Sequence, residues 1–583
     1  GMGFEEMVAW LEENRLHVCH WFTVDTFDHL RHGGRVSGAV AMLGTALQIK
    51  PLLHVDETGH LQVMGKPRGR RKAIETQLSL KGIATGDDFV AFGKAVTEAA
   101  PLDEFMQEGT VILLQDVDLS AFSQTCFVGQ AENPFTGTFD GKGHTLTVSL
   151  NDGDAKELGL FHTLDATAAV KNLTLAGSMT VTQPNPGVAG TLAIYNNGAA
   201  LTGVTNTATV TYSADKTNST SGYLGGLVGQ DKAGSTYTDC HNTGMFNIPG
   251  SGRTMFIGGI VGGALINTKG SLTNCSNSGK FEFNFSNKPD SGMFGGLVGS
   301  AEKAFWNFTD CTNEGNFSVT FADPGHQYHS LGGILGNGYG TFVRCINKGD
   351  ITFGTAKGTN YRRTGGIIGC VGANDDAIDF QRTLSMSDCR NEGDLAASTA
   401  SLGGIIGIAE KIDTPAVIEN CENKGHISSP SMADYDVYYF GGIAGKVNGA
   451  FTLRNCVNRG NLTAAVERDI AGIAVSGGND AVFENCENYG NITVAPNHKP
   501  NEGDRWRPCV AGIVAIENDG ATTITNCTSD CVIDATVYRA TSIDKVYVFQ
   551  KTWENGTEDT KTVCDEASKS NSAGTTINIT TRE

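Results

Sequence analysis

The chain has 583 residues, of which 75 are glycine, and its formal net charge is −20. One compact hydrophobic core cannot fill a chain of this length, so we expect two or more structural units. The negative charge opposes binding to nucleic acids and to anionic membrane surfaces. No apolar stretch reaches the roughly 20 residues of a membrane-spanning helix, and the first residues lack a signal-peptide pattern. We therefore expect no nucleic-acid partner and no membrane span.

Residues 1–80 read as a small mixed α/β unit. The residue pattern predicts three helices and two short strands. A Glu57-Thr58-Gly59 tip between the two strands is a hairpin signal. The predicted helices cover 4–14, 26–30 and 38–47, the predicted strands cover 50–56 and 60–68, and a short segment over 18–24 separates the first two helices.

A junction follows near residues 78–86. Thr85 and Asp88 have the spacing of a capping box, which predicts a helix over 86–100. Phe89, Phe92 and Val96 then lie on one helical face. From residue 111 the pattern becomes β, and we expect the helix to cover the open end of a β stack, because a bare edge would pair with another chain.

From residue 222 to about 535 one pattern recurs: Gly-Gly-aliphatic-aliphatic-Gly, a gap, then Asn-Cys-x-Asn-x-Gly or a close variant. Successive cysteines of this pattern lie 30 to 44 residues apart. A repeat of this length predicts a stacked array in which each unit completes its core against its neighbour. The repeat cysteines are Cys240, Cys275, Cys311, Cys345, Cys389, Cys421, Cys456, Cys486 and Cys527.

We predict a right-handed parallel β-helix of coils of about 35 residues, each with three short strands. The glycine pair would allow close approach at a corner. The cysteines would form a buried column of reduced thiols, because in-register strands oppose the disulfide torsion. The asparagine two residues after each cysteine would join an amide ladder, and the glycine two further on would take a positive φ. Ser529 replaces that asparagine in the last unit, which is typical of a terminal cap.

Residues 20–61 (HWFTVDTFDHLRHGGRVSGAVAMLGTALQIKPLLHVDETGHL) and 66–75 (KPRGRRKAIE) resemble the DegV family of fatty-acid-binding proteins. The resemblance covers only the front of that family's second α/β lobe. It implies a lipid site near Gly33, Gly34, Arg35 and Ser37. The apolar helix around Met42, Leu43 and Leu47 would face the acyl chain, or would pack against its neighbours in this truncated setting.

Residues 82–540 resemble the GLUG-type β-helix regions of bacterial surface proteins, including parts of immunoglobulin A1 peptidases and adhesin-like proteins. The resemblance is carried by GTFDGKGHTL, LGLFHTL and the glycine-pair repeats. It implies an extracellular stalk or binding scaffold and does not specify a ligand.

An enzyme of the polysaccharide-processing β-helix class would need clustered carboxylates. Asn374, Asp375, Asp376 and Asp379 form one such group, and Asp434 with Asp436 forms another, but both lie in insertions and read as solvated loops. We therefore assign no catalytic residue, metal ligand or cofactor. Aromatic residues in the predicted loops are better candidates for a ligand-binding surface. They are Trp306, Tyr339, Tyr361, Tyr438 and Tyr439.

Four segments follow from these patterns: 1–80, a DegV-like fragment; 81–110, linker and capping helix; 111–535, the β-helix; and 536–583, a cap or tail. We expect a non-catalytic bacterial scaffold, secreted or at the cell surface, that binds a glycan or a host or cell-surface protein. Two alternatives stay open, a fatty-acid-binding protein and a polysaccharide lyase or hydrolase. If the DegV-like segment decides the setting, the protein would be cytoplasmic.

Overall fold

The structure is a computed structural model, and it confirms a mainly β chain built as a parallel β-helix. The predicted helix over 4–14 and much of the predicted helix over 38–47 lie outside the residues that the structure describes. The structure describes residues 21–34, 37, 42, 44, 46–55, 61–78, 81–151, 153, 155–182, 187–213, 221–249, 254–265, 267–285, 291–321, 328–355, 362–372, 381–398, 401–410, 412–429, 439–465, 469–477, 480–496, 509–517, 521–538, 542–549 and 562–581.

The DegV-like segment contains a small antiparallel sheet. Strand Leu52–Val55 lies between Trp21–Thr23 and Leu61–Gly65, so the predicted hairpin is present. Helices Asp28–His32 and Arg70–Leu78 accompany the sheet. Phe27, Leu30 and Leu53 form its small core.

Helix Gly86–Thr97 begins with the predicted capping box. The Thr85 hydroxyl accepts from the Asp88 amide at 3.1 Å, and the Asp88 carboxylate accepts from the Thr85 amide at 3.0 Å. Phe89 and Phe92 are buried and contact aromatic rings of the first coils. Gly93 is required because a Cβ there would lie 1.9 Å from the Phe127 carbonyl oxygen. The helix therefore covers the first coil, as predicted, but ends three residues early.

Each central coil contains five strand segments rather than the predicted three. The segments of successive coils pair in parallel, which produces five stacks along the axis. Most strands of the first stack end at the glycine pair, or at Ala-Gly in two later coils, and the first and last strands of the stack lack both motifs. It consists of Val188–Gly190, Ser221–Gly225, Thr254–Gly258, Ser291–Gly295, Tyr328–Gly332, Arg362–Gly365, Ser401–Gly403, Tyr439–Gly441, Asp469–Ala471, Cys509–Ala511 and Ser542–Asp544.

The second stack follows the glycine pair, and two of its strands continue into the third stack. It consists of Cys126–Val128, Glu157–Leu164, Ala193–Asn196, Val228–Asp231, Val261–Ala264, Val298–Thr309, Leu335–Val343, Ile368–Val371, Ile406–Ala409, Ala444–Val447, Ala474–Ser476, Val514–Ile516 and Tyr547–Phe549.

The third stack precedes the repeat cysteines. It begins at a strand that also pairs antiparallel with Met106–Gln107. The long strands Val298–Thr309 and Leu335–Val343 of the second stack also run through it, between Lys269–Thr273 and Leu384–Ser387. Its other strands are Thr110–Ile112, Thr138–Asp140, Ala169–Val181, Ala200–Asn206, Thr236–Thr238, Lys269–Thr273, Leu384–Ser387, Ala416–Glu419, Phe451–Arg454, Ala481–Glu484, Thr522–Thr525 and Thr562–Cys564.

The fourth and fifth stacks complete the coil. The fourth carries the asparagine ladder: His241–Asn242, Ser276–Asn277, Thr312–Asn313, Ile346–Asn347, Arg390–Asn391, Glu422–Asn423, Val457–Asn458, Glu487–Asn488 and Thr528–Ser529. The fifth contains Val117–Asp118, Thr145–Asn151, Thr209–Tyr212, Phe246–Ile248, Phe281–Phe285, Phe317–Phe321, Ile351–Thr355, Leu395–Ala397, Ile427–Ser429, Leu462–Ala464, Ile492–Val494, Val532–Val537 and Thr576–Thr581.

The predicted amide ladder is present and begins one coil earlier than expected, at Asn206. From Asn206 to Asn458, each ladder Nδ2 donates to the Oδ1 of the asparagine in the next coil at 2.7–2.8 Å. The same Nδ2 also donates to the carbonyl two residues along its own chain, for example Asn313 to Gly315 at 3.0 Å. The ladder thus satisfies buried polar groups at every coil.

The glycine two residues after each ladder asparagine does not have the predicted positive φ. It is needed for space, because a Cβ on Gly279 would lie 2.0 Å from the Gly244 carbonyl oxygen of the preceding coil. The positive φ belongs to the residue before each repeat cysteine, with values of 51–57°. Asparagine and aspartate tolerate this conformation best, and they hold eight of these nine positions: Asp239, Asn274, Asp310, Asp388, Asn420, Asn455, Asn485 and Asn526, with Arg344 the exception.

The repeat cysteines form a buried column of thiols. The Cys311 Sγ lies 3.5 Å from the Leu272 carbonyl oxygen of the preceding coil, and the Cys345 Sγ lies 3.5 Å from that of Phe308. Burial raises the pKa of the Cys240 and Cys345 thiols well above the usual value. Cys240 and Cys345 therefore stay protonated at neutral pH and act as small hydrogen-bonding core residues.

A short helix, Glu566–Asn571, lies over the last coil. The Ser568 hydroxyl accepts from the Cys527 amide at 2.9 Å, and the Ser572 hydroxyl accepts from the Ser529 amide at 3.0 Å. These hydroxyls replace the carbonyls that a further coil would have supplied.

Candidate functional site

Two aromatic residues predicted for a ligand-binding surface are fully buried, and for them the prediction was wrong. Trp306 and Tyr339 both have 0% exposure. The expected loop around Trp306 is instead part of the continuous strand Val298–Thr309, and the indole stacks on Tyr237 at a centroid distance of 6.0 Å. Tyr361 and Tyr438 lie outside the described residues. Tyr439 is partly exposed.

The outward faces of the first and second stacks meet in a narrow strip that we call the outer cleft. Gly229 lies so close to Val188 that a Cβ there would be 2.4 Å from the valine Cγ1. Most of the side chains along this strip are buried, and the partly exposed ones are Tyr195, Tyr223, Phe256, Arg363 and Tyr439. The buried ones are Gln230, Met293, Ser300, Ser330, Asn337, Cys370, Ser401, Ile408, Lys446, Asp469 and Cys509.

Segments of variable length lie next to strands of the outer cleft in the sequence. The longest cysteine spacing, 44 residues, includes the segment 372–383, which follows the second-stack strand Ile368–Val371. Residues 430–438 precede the first-stack strand Tyr439–Gly441, and most of both segments lies outside the described residues. In repeat proteins, insertions that map to one face commonly mark the binding face.

Four polar side chains gather at the N-terminal end of the outer cleft. The Tyr195 hydroxyl donates to the Glu157 carboxylate, and the His162 Nε2 lies 3.2 Å from the other carboxylate oxygen. The Lys232 ammonium lies over the Tyr195 ring, 3.2 Å from its centroid. The hydrogen bond with His162 lowers the pKa of Glu157, and burial followed by the Glu157 contact raises the pKa of Tyr195. Glu157 is therefore ionised and Tyr195 protonated at neutral pH.

The aromatic rings of Tyr223 and Phe256 stack next to this cluster. Their centroids are 4.7 Å apart and their planes differ by 26°. Both rings are partly exposed. Tyr223 also lies against Gly263, where a Cβ would be 2.9 Å from the ring. The Tyr223 ring therefore packs directly on Gly263, and a side chain at that position would clash with it.

A second polar group lies in the middle of the outer cleft. The Arg363 Nη1 donates to the Cys370 Sγ at 3.4 Å, and its guanidinium lies 3.8 Å from Glu410 and 5.6 Å from the Tyr328 ring centroid. Burial raises the pKa of Cys370, against the opposing effect of Arg363. Cys370 is therefore a protonated thiol rather than a nucleophilic thiolate.

A third group lies toward the C-terminal end. The Tyr439 hydroxyl donates to Glu517 at 2.7 Å, and Lys446 forms an ion pair with the same carboxylate while lying 3.9 Å from the Tyr439 ring centroid. The side chains of Lys446 and Glu517 are only 9% and 14% exposed. This enclosed group supports the coil packing and leaves little polar surface for a ligand.

The residues predicted to bind lipid lie in the DegV-like segment. Gly33 and Gly34 follow helix Asp28–His32, Ser37 is described as an exposed residue, and Arg35 lies outside the described residues. Met42 is 76% exposed and Leu47 is 40% exposed. The Met42 side chain therefore does not pack as the alternative prediction requires, whereas more than half of the Leu47 surface is covered, so for Leu47 both predictions stay open.

A recess of about 630 Å³ lies between the DegV-like segment and the first coils. Met64 from the hairpin meets Ile112 and Leu114 there, and Lys142 and His144 line the same space. Of the predicted lipid-binding residues that the structure describes, Gly33, Gly34 and Ser37, none lines it.

The carboxylate groups weighed for catalysis, around Asp375 and around Asp434, lie outside the described residues. Within the described ranges, no group of three or more His, Cys, Asp or Glu side chains is arranged to hold a metal ion. None of the helices that the structure describes is long and apolar enough to cross a membrane.

Comparison with known families finds one match at the N-terminus. Residues 1–128 match the model of the DegV family, described as "Uncharacterised protein, DegV family". The chain is 38% identical over 113 residues to a DegV domain-containing protein of Clostridium perfringens, and 39% identical over 109 residues to one of Lactococcus lactis. These alignments cover 18% of this chain and 39% and 37% of the relatives, so the chain spans well under half of their length.

The DegV-family match extends beyond the small α/β unit. It includes helix Gly86–Thr97 and strands as far as Cys126–Val128, which the structure builds into the start of the β-helix. Among solved structures, the chain is similar to a proposed immunoglobulin A1 protease from Bacteroides ovatus. That similarity has 15% identity and a TM-score of 0.32, and covers 57% of this chain and 78% of the other.

Proposed function

We propose that the protein is a non-catalytic bacterial scaffold, secreted or at the cell surface, that binds an extended glycan along the outer cleft. One observation carries this proposal: the partly exposed, stacked rings of Tyr223 and Phe256 and the charged side chains of Glu157 and Lys232 lie at one end of the outer cleft. Aromatic surfaces bind sugar rings, and a rigid strip along the helix axis suits a chain of them. The GLUG-type resemblance supports the cell-surface setting.

The proposal is tested with the full chain on an array of bacterial, plant and host glycans, with purified matrix proteins included. Phe256→Ala should lower the affinity for the best glycan about tenfold, a loss of about 1.4 kcal/mol. Tyr489→Ala is the matched control, because Tyr489 is 38% exposed and lies outside the outer cleft. Binding of matrix proteins without glycans, or equal losses in both variants, would overturn the proposal.

The proposed location, at the cell surface or outside the cell, is tested separately on intact cells of the source organism. Antibody labelling and protease shaving of unbroken cells should detect the β-helix at the surface or in the medium. Detection only after lysis would favour a cytoplasmic protein governed by the DegV-like segment.

A second candidate function is fatty-acid binding through the N-terminal segment. It is supported by the DegV-family match and by the exposed apolar side chains of Met42 and Leu47. Lipid extracted from the purified protein should contain fatty acid by mass spectrometry, and Met42→Gln should reduce its amount. Absence of fatty acid from the freshly purified full chain would eliminate this candidate.

A further inference from the structure

The last strand of the fifth stack, Thr576–Thr581, has one paired edge and one open edge. Its paired edge runs parallel to Val532–Val537, and within the described part of the chain no strand pairs with its other edge. It has six residues, whereas the last strand of each of the first three stacks has three. We call it the end strand. Its open edge presents backbone N–H and C=O groups with which another strand can pair.

The apolar core is unfinished beside the end strand. Ile577 and Ile579 are register partners of the buried residues Ile533 and Ala535, so both isoleucines face the inside of the coil. Ile579 is nevertheless 56% exposed. The short helix Glu566–Asn571 covers the fourth stack and leaves this side of the last coil open. An inward apolar side chain therefore lies at solvent, next to an open strand edge.

The end strand lacks the features that usually keep an edge from pairing. Natural proteins protect edge strands with charged side chains, proline or a bulge. Residues 576–581 read TINITT, with no charge and no proline, and their register with Val532–Val537 is continuous. Isoleucine and threonine both favour strands. A short exposed segment with high β propensity and no charge is the type of sequence that pairs with copies of itself.

The sequence of this segment identifies a second copy of the chain as the partner. Residues 575–581 read TTINITT, which is the same in both directions about Asn578. When two such strands pair antiparallel about a two-fold axis through Asn578, Ile577 of each copy lies opposite Ile579 of the other. Each threonine then lies opposite a threonine. Opposite residues of an antiparallel pair lie on the same face, so the four isoleucines meet inside the coils.

The two ends of the β-helix differ, and this difference limits the association to two copies. At the first coil, helix Gly86–Thr97 covers the core with Phe89 and Phe92, so only the end strand offers an open edge beside unfinished core. A contact that uses the same surface of both copies closes as a dimer instead of growing into a filament. The net charge of −20 does not prevent it, because residues 575–581 are uncharged and charges beyond about 8 Å are largely screened at physiological ionic strength.

We propose that the protein forms a tail-to-tail dimer in which the end strands of two copies pair antiparallel about Asn578. The pairing continues the sheet of the fifth stack and the apolar core from one β-helix into the other. The DegV-like segments then lie at the two far ends of the dimer. Because a pair of six-residue strands is a small contact, the dimer is in reversible equilibrium with the single chain. It forms with or without a glycan in the outer cleft.

The first test is analytical ultracentrifugation of the full chain, with reduced thiols, at concentrations up to about 100 μM. The native protein should change from monomer to dimer as the concentration rises. Ile579→Lys should weaken dimerisation about tenfold or more, because it buries charged groups among the paired isoleucines. Val563→Lys is the matched control, because Val563 is 62% exposed in the last strand of the third stack, outside the end strand. It should leave dimerisation unchanged, and circular dichroism should show native β content in both variants.

The second test is cross-linking, which reports the register. Asn578→Cys places two cysteines opposite each other on the two-fold axis, where a Cα separation of about 4.5–5.5 Å permits a disulfide. Thr580→Cys is the matched control on the same face of the strand. Its counterpart in the other copy lies four residues along the partner strand, roughly 13 Å away, which is too far for a disulfide. Mild oxidation should give covalent dimers of Asn578→Cys and none of Thr580→Cys.

Three results would overturn the inference. The first is a native protein that stays monomeric at about 100 μM, which would leave the open edge to a different occupant. The second is dimerisation that persists in Ile579→Lys, or polymers that grow with concentration, because either result would place the contact elsewhere. The third is cross-linking of Thr580→Cys that equals cross-linking of Asn578→Cys.

Discussion

Asn313 donates its Nδ2 hydrogen to the Oδ1 of Asn347 in the next coil at 2.8 Å, although 34 residues separate the two in the chain. Both side chains are fully buried. Asn313 also accepts from Asn277 at 2.8 Å and donates to the Gly315 carbonyl. A single carboxamide therefore joins three consecutive coils.

Asn313→Ala should destabilise the β-helix by about 3 kcal/mol, because it leaves buried donors and acceptors of two neighbouring coils without partners. The measurement is the midpoint of guanidinium unfolding, followed by circular dichroism. The matched control is Asn455→Gly. Asn455 is one of the exposed residues that precede the repeat cysteines, and it donates to Asn420 of the preceding coil at 3.0 Å. Glycine accepts the positive φ at that position, so the control should change stability by less than about 1 kcal/mol. Equal effects of the two changes would contradict a structural role for the buried ladder.

Gly279→Ala should destabilise the stack by about 3 kcal/mol, because the new methyl group meets the Gly244 carbonyl oxygen at 2.0 Å and the coils must separate. Gly354→Ala is the control, since a Cβ at Gly354 has no heavy atom within 4 Å. It should be neutral or slightly stabilising, because alanine restricts the unfolded chain. Thermal unfolding of both variants measures the difference in their stability. An unchanged stability of Gly279→Ala would show that the coils can shift to make room for the methyl group.

His329 should make the stability pH-dependent. Burial, with a further effect of Arg362, lowers its pKa to about 3. As the pH falls below about 6.5, the unfolded chain gains a proton at this residue while folded His329 stays neutral, so stability is lost down to about pH 3. The loss at about pH 5 is on the order of 2 kcal/mol.

His329→Phe should remove that part of the pH dependence. The unfolding free energies of the variant and the native protein, compared at about pH 7.5 and about pH 5, give the size of the effect. Any loss of stability from altered packing is present at both pH values and cancels in the comparison. An unchanged difference between the two pH values would show that His329 does not titrate in this way.

Ser568→Ala should weaken the C-terminal end by about 1–2 kcal/mol, because the Cys527 amide then has no acceptor. Hydrogen exchange at the amides of the last coils should report the change locally. Ser570→Ala in the same helix is the control, because Ser570 is exposed. Faster exchange in the control alone would refute the capping role of Ser568.

The amide ladder and the capping helix were predictable because each depends on residues at fixed spacing. The asparagine recurs two residues after every cysteine until Ser529, and Thr85 and Asp88 form a local capping pattern. The role of Gly279 was not predictable, since a single sequence does not show which carbonyl of another coil will approach it. The sequence pattern predicted a positive φ at Gly279, whereas the residue that has the left-handed conformation in this unit is Asn274.

The candidate site was largely missed because its residues come from different coils and share no motif. Glu157 and Tyr195 lie 38 residues apart, and their contact depends on the register of the second stack. One signal was present: Tyr223 and Phe256 each lie two residues before the glycine pair, at positions that alternate with core residues and so face outward. Trp306 misled the prediction, because its strand continues through the expected loop and turns the indole inward.

The ladder carboxamides all point the same way along the axis, so their dipoles add head to tail as peptide dipoles do in an α-helix. The negative end of the ladder is the Asn206 Oδ1, which accepts from the Ala208 amide at 3.2 Å, and its positive end is the Asn488 Nδ2, which donates to the Cys531 Sγ at 3.4 Å. Each bond polarises the next. The β-helix therefore has an internal electrical polarity, with a backbone amide donor at one end and a soft sulfur acceptor at the other.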